Sequence, residues 1–337
     1  MALVLDAMGS DLYPEPEIQA AVTSAQILNE EIILVGDEKI IEPRLKVLNT
    51  NNAPIRILHA PEILKMDEHA VEAVRNKPQN SMAVGMNLVK SGEARVFVTA
   101  GNTGAAYFTA VTTLRRIKGV SRPALSAVLP VKNGKALFMD TGANADCRPE
   151  FLLEFAIMGS VYAEKLLDKP NPRVGLLANG EEASKGNELV KAAYPLLQNS
   201  ELNFIGNIEP KDFYAGIVDV LVTDGFTGNV FIKSSEAVAK VITDNLKDQI
   251  SASPIRKLGY LLAKPAFIAL KKMLDPGEIG AAFLLGIDGY VFIGHGRSDA
   301  RSLSNGLALA QKAVDSKMLE SIRSEIQRRI SISPNPG

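Results

Sequence analysis

Three apolar runs in this 337-residue chain, at 96–104, 137–144 and 218–229, end in short loops of Gly, Thr, Asp and Asn. The loops read T-A-G-N-T-G, D-T-G-A-N and T-D-G-F-T-G-N. Glycine lets backbone approach a ligand closely, and main-chain N–H groups at a helix start carry a partial positive charge that favours an anion. Gly101, Thr103 and Gly104, then Asp140 and Asn144, then Asp224, Gly225, Thr227, Gly228 and Asn229 are therefore candidate phosphate- or oxyanion-binding positions. Gly, Asn and Thr are also ordinary turn and cap formers, so each loop alone has a local explanation. Three of one character, each ending a strand-like run, predict one shared mouth at the edge where open α/β sheets bind ligands.

Residues 175–189 read G-L-L-A-N-G-E-E-A-S-K-G-N-E-L, a strand giving way to a loop with Lys185, Asn187 and Glu188. A lysine just ahead of a helix can offer a point charge to a phosphate beside helix N–H donors, or it can simply be solvated. The G-x-x-x-x-G-K-[ST] spacing of a P-loop is missing. Asp6 and Asp11 bracket A-M-G-S, yet no His or further acid completes a metal site, and no metal is assigned. His295, between two glycines in G-H-G-R-S-D, can donate to an oxyanion, move a proton or serve structure alone. No G-x-S-x-G elbow occurs, no histidine is near Cys147 in sequence, and no G-x-G-x-x-G follows a strand. Neither a covalent acyl-enzyme nor dinucleotide binding is signalled.

Holding such loops requires a large core, which 46% hydrophobic residues can supply. A formal charge of −1 gives no bulk preference for nucleic acid. Trp is absent and Cys147 is the only cysteine, which excludes a disulfide framework and a Cys-based metal cluster and fits a reducing cytoplasm. The first apolar run begins at Ala2, leaving no room for a signal peptide, and no run reaches the length of a membrane span. A soluble or peripheral protein is expected.

Strand-like and helix-like segments alternate, predicting a layered α/β fold with a largely parallel sheet. Strands are expected at 2–5, 32–35, 55–58, 96–99, 125–129, 136–139, 174–178, 203–205, 218–222 and 290–293. Helices are expected at 15–28, 81–91, 104–116, 149–167, 187–197 and 228–250, with another beginning near Asp299. Asn133-Gly134 signals a hairpin and hence one antiparallel pair. Residues 254–274 set Leu258, Leu261 and Leu262 among Arg and Lys, an amphipathic basic helical segment broken at Pro265. It reads as a helical hairpin in a dimer interface, as a tip in an anionic bilayer surface, or as both.

In order along the chain, D-A-M-G-x-D at 6–11, A-G-N-T-G-A at 100–105, R-P-A-L at 122–125, D-T-G-A-N at 140–144, E-E-A-S-K-G-N-E-L at 181–189 and T-D-G-F-T-G-N at 223–229 resemble the bacterial phosphate acyltransferase (PlsX) family of phospholipid synthesis. M-G-S-V-Y-A-E-K at 158–165, F-I-G-N-I-E at 204–209 and H-G-R-S-D-A at 295–300 extend the likeness to about residues 1–312, and the tail 313–337 looks private to this chain. The resemblance implies conversion of acyl-[acyl carrier protein] and inorganic phosphate to acyl phosphate and free carrier protein, with no cofactor. It implies one three-layer α/β/α catalytic domain over 1–337, akin to the isocitrate dehydrogenase and phosphotransacetylase group. A long helix and helical hairpin at 228–274 would project for dimer and membrane contact. A homodimer in the cytoplasm, peripherally membrane-associated and feeding a glycerol-3-phosphate acyltransferase, is implied too. Lys185 matches the family lysine of K-G-N-E. The family's first loop usually reads D-A-M-G-G-D-H, whereas Ser10 and Leu12 stand here, which leaves His295 the better histidine candidate.

Phosphate attacking a thioester carbonyl requires a site that holds one dianion and stabilises a second negative charge on the carbonyl oxygen. A thiolate leaves readily, its thiol having a pKa near about 8.5, so no strong general acid is needed. Lys185 and the amides of 101–104 and 225–229 are expected to bind phosphate, and Asn102, Asn144, Asn187 or His295 to donate to the oxyanion. Gly9 and Ser298 fall beside substrate, while Asp6, Asp140, Asp224 and Glu188 orient the donors. Competing readings are a phosphotransacetylase-like enzyme using acyl-coenzyme A, a nicotinamide-dependent hydroxy-acid dehydrogenase, and a non-catalytic membrane-associated scaffold.

Overall fold

Alternate residues of the strand segments enter different apolar clusters. Leu3, Leu5, Ile32, Leu34, Val96 and Val98 belong to one, and Val4, Ile33, Val35 and Phe97 to a second. This period of two puts successive side chains on opposite faces of one sheet, and because both faces are covered the runs are apolar throughout. Each such side chain contributes about 1.5–3 kcal/mol on burial.

The computed structural model describes residues 2–48, 52–132 and 134–332. Its first part is β1 (Ala2–Asp6), α1 (Glu15–Leu28), β2 (Ile32–Gly36), α2 (Glu38–Val47), β3 (Ile55–His59), α3 (Ala70–Asn76), α4 (Ser81–Ser91), β4 (Ala94–Thr99) and α5 (Thr103–Thr113). The middle is β5 (Ala124–Val131), β6 (Gly134–Met139), α6 (Pro149–Leu166), β7 (Val174–Leu177), α7 (Glu188–Gln198), β8 (Phe204–Ile208), α8 (Pro210–Ala215) and β9 (Val220–Val222). Two long helices follow, α9 (Gly225–Ser251) and α10 (Pro254–Leu274), then β10 (Ala282–Leu285), β11 (Tyr290–Ile293), α11 (Ala300–Asp315) and α12 (Met318–Ile332).

Among the described residues one eleven-stranded sheet has the order β3-β2-β1-β4-β11-β10-β5-β6-β9-β7-β8. Helices flank it on both sides: α1, α6, α11 and α12 pack into the first cluster, α4 and α5 into the second. The three-layer expectation holds, and the sheet is largely parallel, with antiparallel pairings only around β10 and β5 at its centre. β1 to β4 and β11 form one parallel block. β6, β9, β7 and β8 form another. β10 is antiparallel to β11 and β5, and β5 to β6, so the two blocks run in opposite directions. The single expected antiparallel pair is thus one of three. Asn133 of the expected hairpin lies outside the described residues, while Val131 and Gly134 pair across it.

Two helices differ from expectation for local reasons. α9 begins at Gly225 rather than Gly228 because the Asp224 carboxylate accepts the Thr227 N–H at 2.8 Å and caps the helix there. α10 runs unbroken through Pro265. Proline removes one ladder hydrogen bond, and on a helix with no buried residues the carbonyl left without a partner can be satisfied by water. Within the tail read as private, Met318, Leu319, Ile322 and Ile326 of α12 are buried in the core beside α6.

α9 docks tightly on the loop after β6. A Cβ at Gly228 would lie 1.9 Å from the Asp140 carbonyl oxygen. Gly228→Ala is expected to cost about 1–3 kcal/mol through overpacking, seen as a lower Tm in calorimetry; an unchanged Tm would mean that α9 does not dock at this distance.

Candidate active site

The second and third loops meet. Asp140, fully buried at the end of β6, accepts N–H groups from Leu125 at 3.0 Å, Gly142 at 3.2 Å, Ala143 at 3.1 Å and Asn144 at 2.8 Å, and the Asn144 side-chain amide at 2.9 Å. Burial raises its pKa while these donors pull it down. Gly225 donates to the Asn144 carbonyl at 2.7 Å, joining the start of α9 to the same loop, and the Asn229 amide lies against Gly142. Asp224 takes both the N–H and the hydroxyl of Thr227.

The first loop lies elsewhere, which corrects the expectation of one shared mouth. β4 runs opposite to β6 and β9, so its carboxyl end faces the other way along the sheet. It gathers instead with the ends of β1 and β11. Asp6 accepts the Thr99 hydroxyl at 2.7 Å and the Met8 N–H at 3.0 Å, and Thr99 Oγ1 accepts the Gly101 N–H at 2.9 Å. Gly9 packs so near that a Cβ would fall 2.8 Å from Gly101 N. Asp11 N donates to the Gly296 carbonyl at 2.7 Å, which draws in His295 and the buried Ser298.

These contacts decide which candidate donors are open. Asn102 caps α5 through Oδ1 and donates its amide to Met66 and Glu68 carbonyls, and Asn144 donates its amide to Pro123 and Asp140. Neither is left for an oxyanion, contrary to expectation, and the amides of Gly101, Gly225 and Gly228 are likewise occupied. The Thr103, Gly104 and Phe226 N–H groups have no acceptor among the described residues. Exposed His295 accepts the Arg297 N–H on Nδ1, leaving Nε2. Asn187 caps α7 through Oδ1, leaving its amide, and exposed Glu188 stands in the first turn of that helix. Lys185 is exposed and forms no ion pair among the described residues.

Lys185 follows β7, whose carboxyl end points the same way as those of β6 and β9, so this lysine belongs with the second and third loops. α5 starts at the first loop and carries Tyr107 to Arg122, close enough to Asp140 to feel its charge. Arg122 and Tyr107 went unrecognised in sequence; R-P-A-L was noted as a block, but nothing in it singles out the arginine. Burial, then the charges of Asp140 and Asp224, push the Cys147 thiol up to about 12, which disfavours the thiolate that a nucleophile would need.

Glu17 was also missed. This fully buried carboxyl accepts the Ser10 N–H at 3.0 Å and holds the loop that contains Gly9. Burial pushes it up from 4.5 to about 7, against the pull of its bonds from Ser10. The folded chain keeps this proton where the unfolded chain has lost it, so the stability it contributes is complete below pH 4.5 and is lost as pH rises to about 7. Relative to the parent, Glu17→Gln is expected to gain stability from about pH 5 to about pH 8, by up to about 3 kcal/mol, in urea denaturation; an equal difference at both pH values would mean that Glu17 is already ionised in the fold.

Residues 1–321 match a family model described as fatty acid synthesis protein. Phosphate acyltransferases from Elusimicrobium minutum and Pelotomaculum thermopropionicum are each 44% identical over 327 residues, covering 97% of this chain and 96% and 95% of theirs. Among solved structures, a phosphotransacetylase from Streptococcus pyogenes superposes with a TM-score of 0.59 at 18% identity, covering 95% of this chain and 94% of that one, and so shares the fold. With relatives this similar across nearly its whole length, and a family model spanning residues 1–321, the chain belongs to the phosphate acyltransferase family.

Proposed function

We propose that this enzyme transfers an acyl group from acyl-[acyl carrier protein] to inorganic phosphate, forming acyl phosphate and free carrier protein. The observation that carries this reading is the 44% identity with phosphate acyltransferases over 97% of the chain. The geometry suits the chemistry. A phosphate oxygen attacks the thioester carbon, the carbonyl oxygen takes the negative charge, and collapse of that intermediate breaks the C–S bond and releases the carrier thiolate, which takes a proton from water. No protein nucleophile is required, in keeping with the high pKa of Cys147. Lys185 and the Phe226 N–H face the dianion, the Asn187 amide at the same strand ends serves the oxyanion, and Asp140 and Asp224 brace the loops.

The chain acts as one catalytic domain with α9 and α10 as its projection. Among the described residues α9 buries only Gly225 and Gly228 and α10 buries none, while Val238, Val241, Ile242, Leu258, Leu261 and Leu262 are exposed. Apolar surface on this scale marks a contact site. No helix is long and apolar enough to cross a membrane among the described residues. The pair of helices serves a second copy of the chain and, through the basic face of α10, an anionic bilayer surface in the cytoplasm. There the acyl phosphate passes to a glycerol-3-phosphate acyltransferase.

Palmitoyl-carrier protein is expected to release free carrier only with phosphate, and hydroxylamine to trap the acyl phosphate; loss of both products, or faster turnover of palmitoyl-coenzyme A, would sink the assignment. Lys185→Ala is expected to lower turnover about 100-fold in a folded protein, and a normal rate would remove Lys185 from the site. Replacing Leu258, Leu261 and Leu262 together with Ser is expected to abolish flotation with vesicles rich in anionic lipid; undiminished flotation would refute membrane contact by α10.

A further inference from the structure

The segment between α5 and β5 is clamped at alternate residues. Ser121 donates its N–H and its hydroxyl to the Glu154 carboxylate, each at 2.7 Å, and its carbonyl accepts from Arg116. The Pro123 carbonyl accepts the Asn144 amide at 2.7 Å. Leu125 donates its N–H to Asp140 at 3.0 Å, and its carbonyl accepts the Thr141 N–H at 3.0 Å and hydroxyl at 3.1 Å. Between these anchors Arg122 is exposed. Its guanidinium forms no ion pair among the described residues, and its positive charge opposes the burial that raises the pKa of Tyr107 on α5. Glu154, which braces this segment from α6, is itself 7% exposed.

The placement matters because the loops after β6 and β9 carry Asp140, Asp146 and Asp224, whose field repels a phosphate dianion. Lys185 follows β7, two strands from β6 and so about 10 Å across the sheet. Arg122 precedes β5, on the other side of β6. Two cations without carboxylate partners therefore flank the pair of loops.

We propose that Arg122 is a second phosphate-binding residue of the acyltransferase site, gripping the attacking dianion with its planar fork, and that Glu154 is a positioning residue acting through Ser121. The assignment rests on the acyl-transfer reading and names the group that recognises one of its substrates. Arginine suits the task because two parallel N–H donors match two phosphate oxygens, which a lysine ammonium cannot reproduce.

Rates of carrier release are measured against inorganic phosphate and against palmitoyl-carrier protein for the full chain, Arg122→Gln, Arg122→Lys, Glu154→Gln and the double variant Arg122→Gln/Glu154→Gln. Arg122→Gln is expected to raise the phosphate KM about 10-fold to 100-fold, the loss of charge-assisted hydrogen bonds, with the carrier KM within about twofold of the parent. It is also expected to remove the rise in Tm that phosphate alone gives the parent. Arg122→Lys falls between the two. Glu154→Gln shifts the phosphate KM in the same direction and adds nothing once Arg122 is Gln.

An unchanged phosphate KM in active Arg122→Gln overturns the assignment and leaves acyl transfer standing. A parent without phosphate-dependent release overturns the acyl-transfer reading instead, and the thermal shift then judges Arg122 alone. If Arg122→Gln does not fold, Arg122→Lys with parental KM and thermal shift refutes the role of the fork. Additive effects of the two substitutions refute positioning by Glu154.

Discussion

The Asp140 carboxylate is the point on which the site depends. Its five N–H donors come from the start of β5, from the loop after β6 and from the Asn144 side chain, and Asn144 in turn receives the first amide of α9. A carboxylate removed from water is costly unless its lone pairs are filled, and here they are filled by backbone whose course is thereby fixed. One buried anion thus aligns two strands, a turn and a long helix. It also explains why Gly228 admits no side chain, since the helix has been drawn onto the Asp140 carbonyl.

A second constraint is the reversal of direction at β10. Because the blocks on either side run oppositely, loops of similar composition separate into two clusters instead of lining one rim. α5 reconnects them: its first turn belongs to the cluster of Asp6 and His295, and Tyr107 reaches Arg122 beside the cluster of Asp140.

Most of the strands and long helices were legible because period and punctuation agree. Glu15–Leu28 and Ser81–Ser91 stand where apolar spacing and the Pro and Asn signals put them. β10 was not legible, since its four residues in A-A-F-L-L-G carry no period of their own and its direction is set by neighbours distant in sequence. The continuity of α10 through Pro265 was hidden for the opposite reason, a strong local signal that the helix overrides. In the site, residue types were read well and duties less so. Asn102 and Asn144 look like ligand donors in sequence, yet both amides are occupied by carbonyl or carboxylate partners. Arg122 gave no sign, because its setting is made by what holds Ser121, Pro123 and Leu125.

The exposed pair α9 and α10 has a thermodynamic consequence. Of the twenty-one residues of α10, which packs against α9, none is buried in a single copy of the chain, and in proteins most helical stability comes from packing of an apolar face rather than from propensity. A partner or surface that bound the ordered form alone would add to the free energy that keeps it helical. Secondary structure there would then follow concentration and surroundings, so that where the molecule resides and how fully it is folded become two readings of one equilibrium.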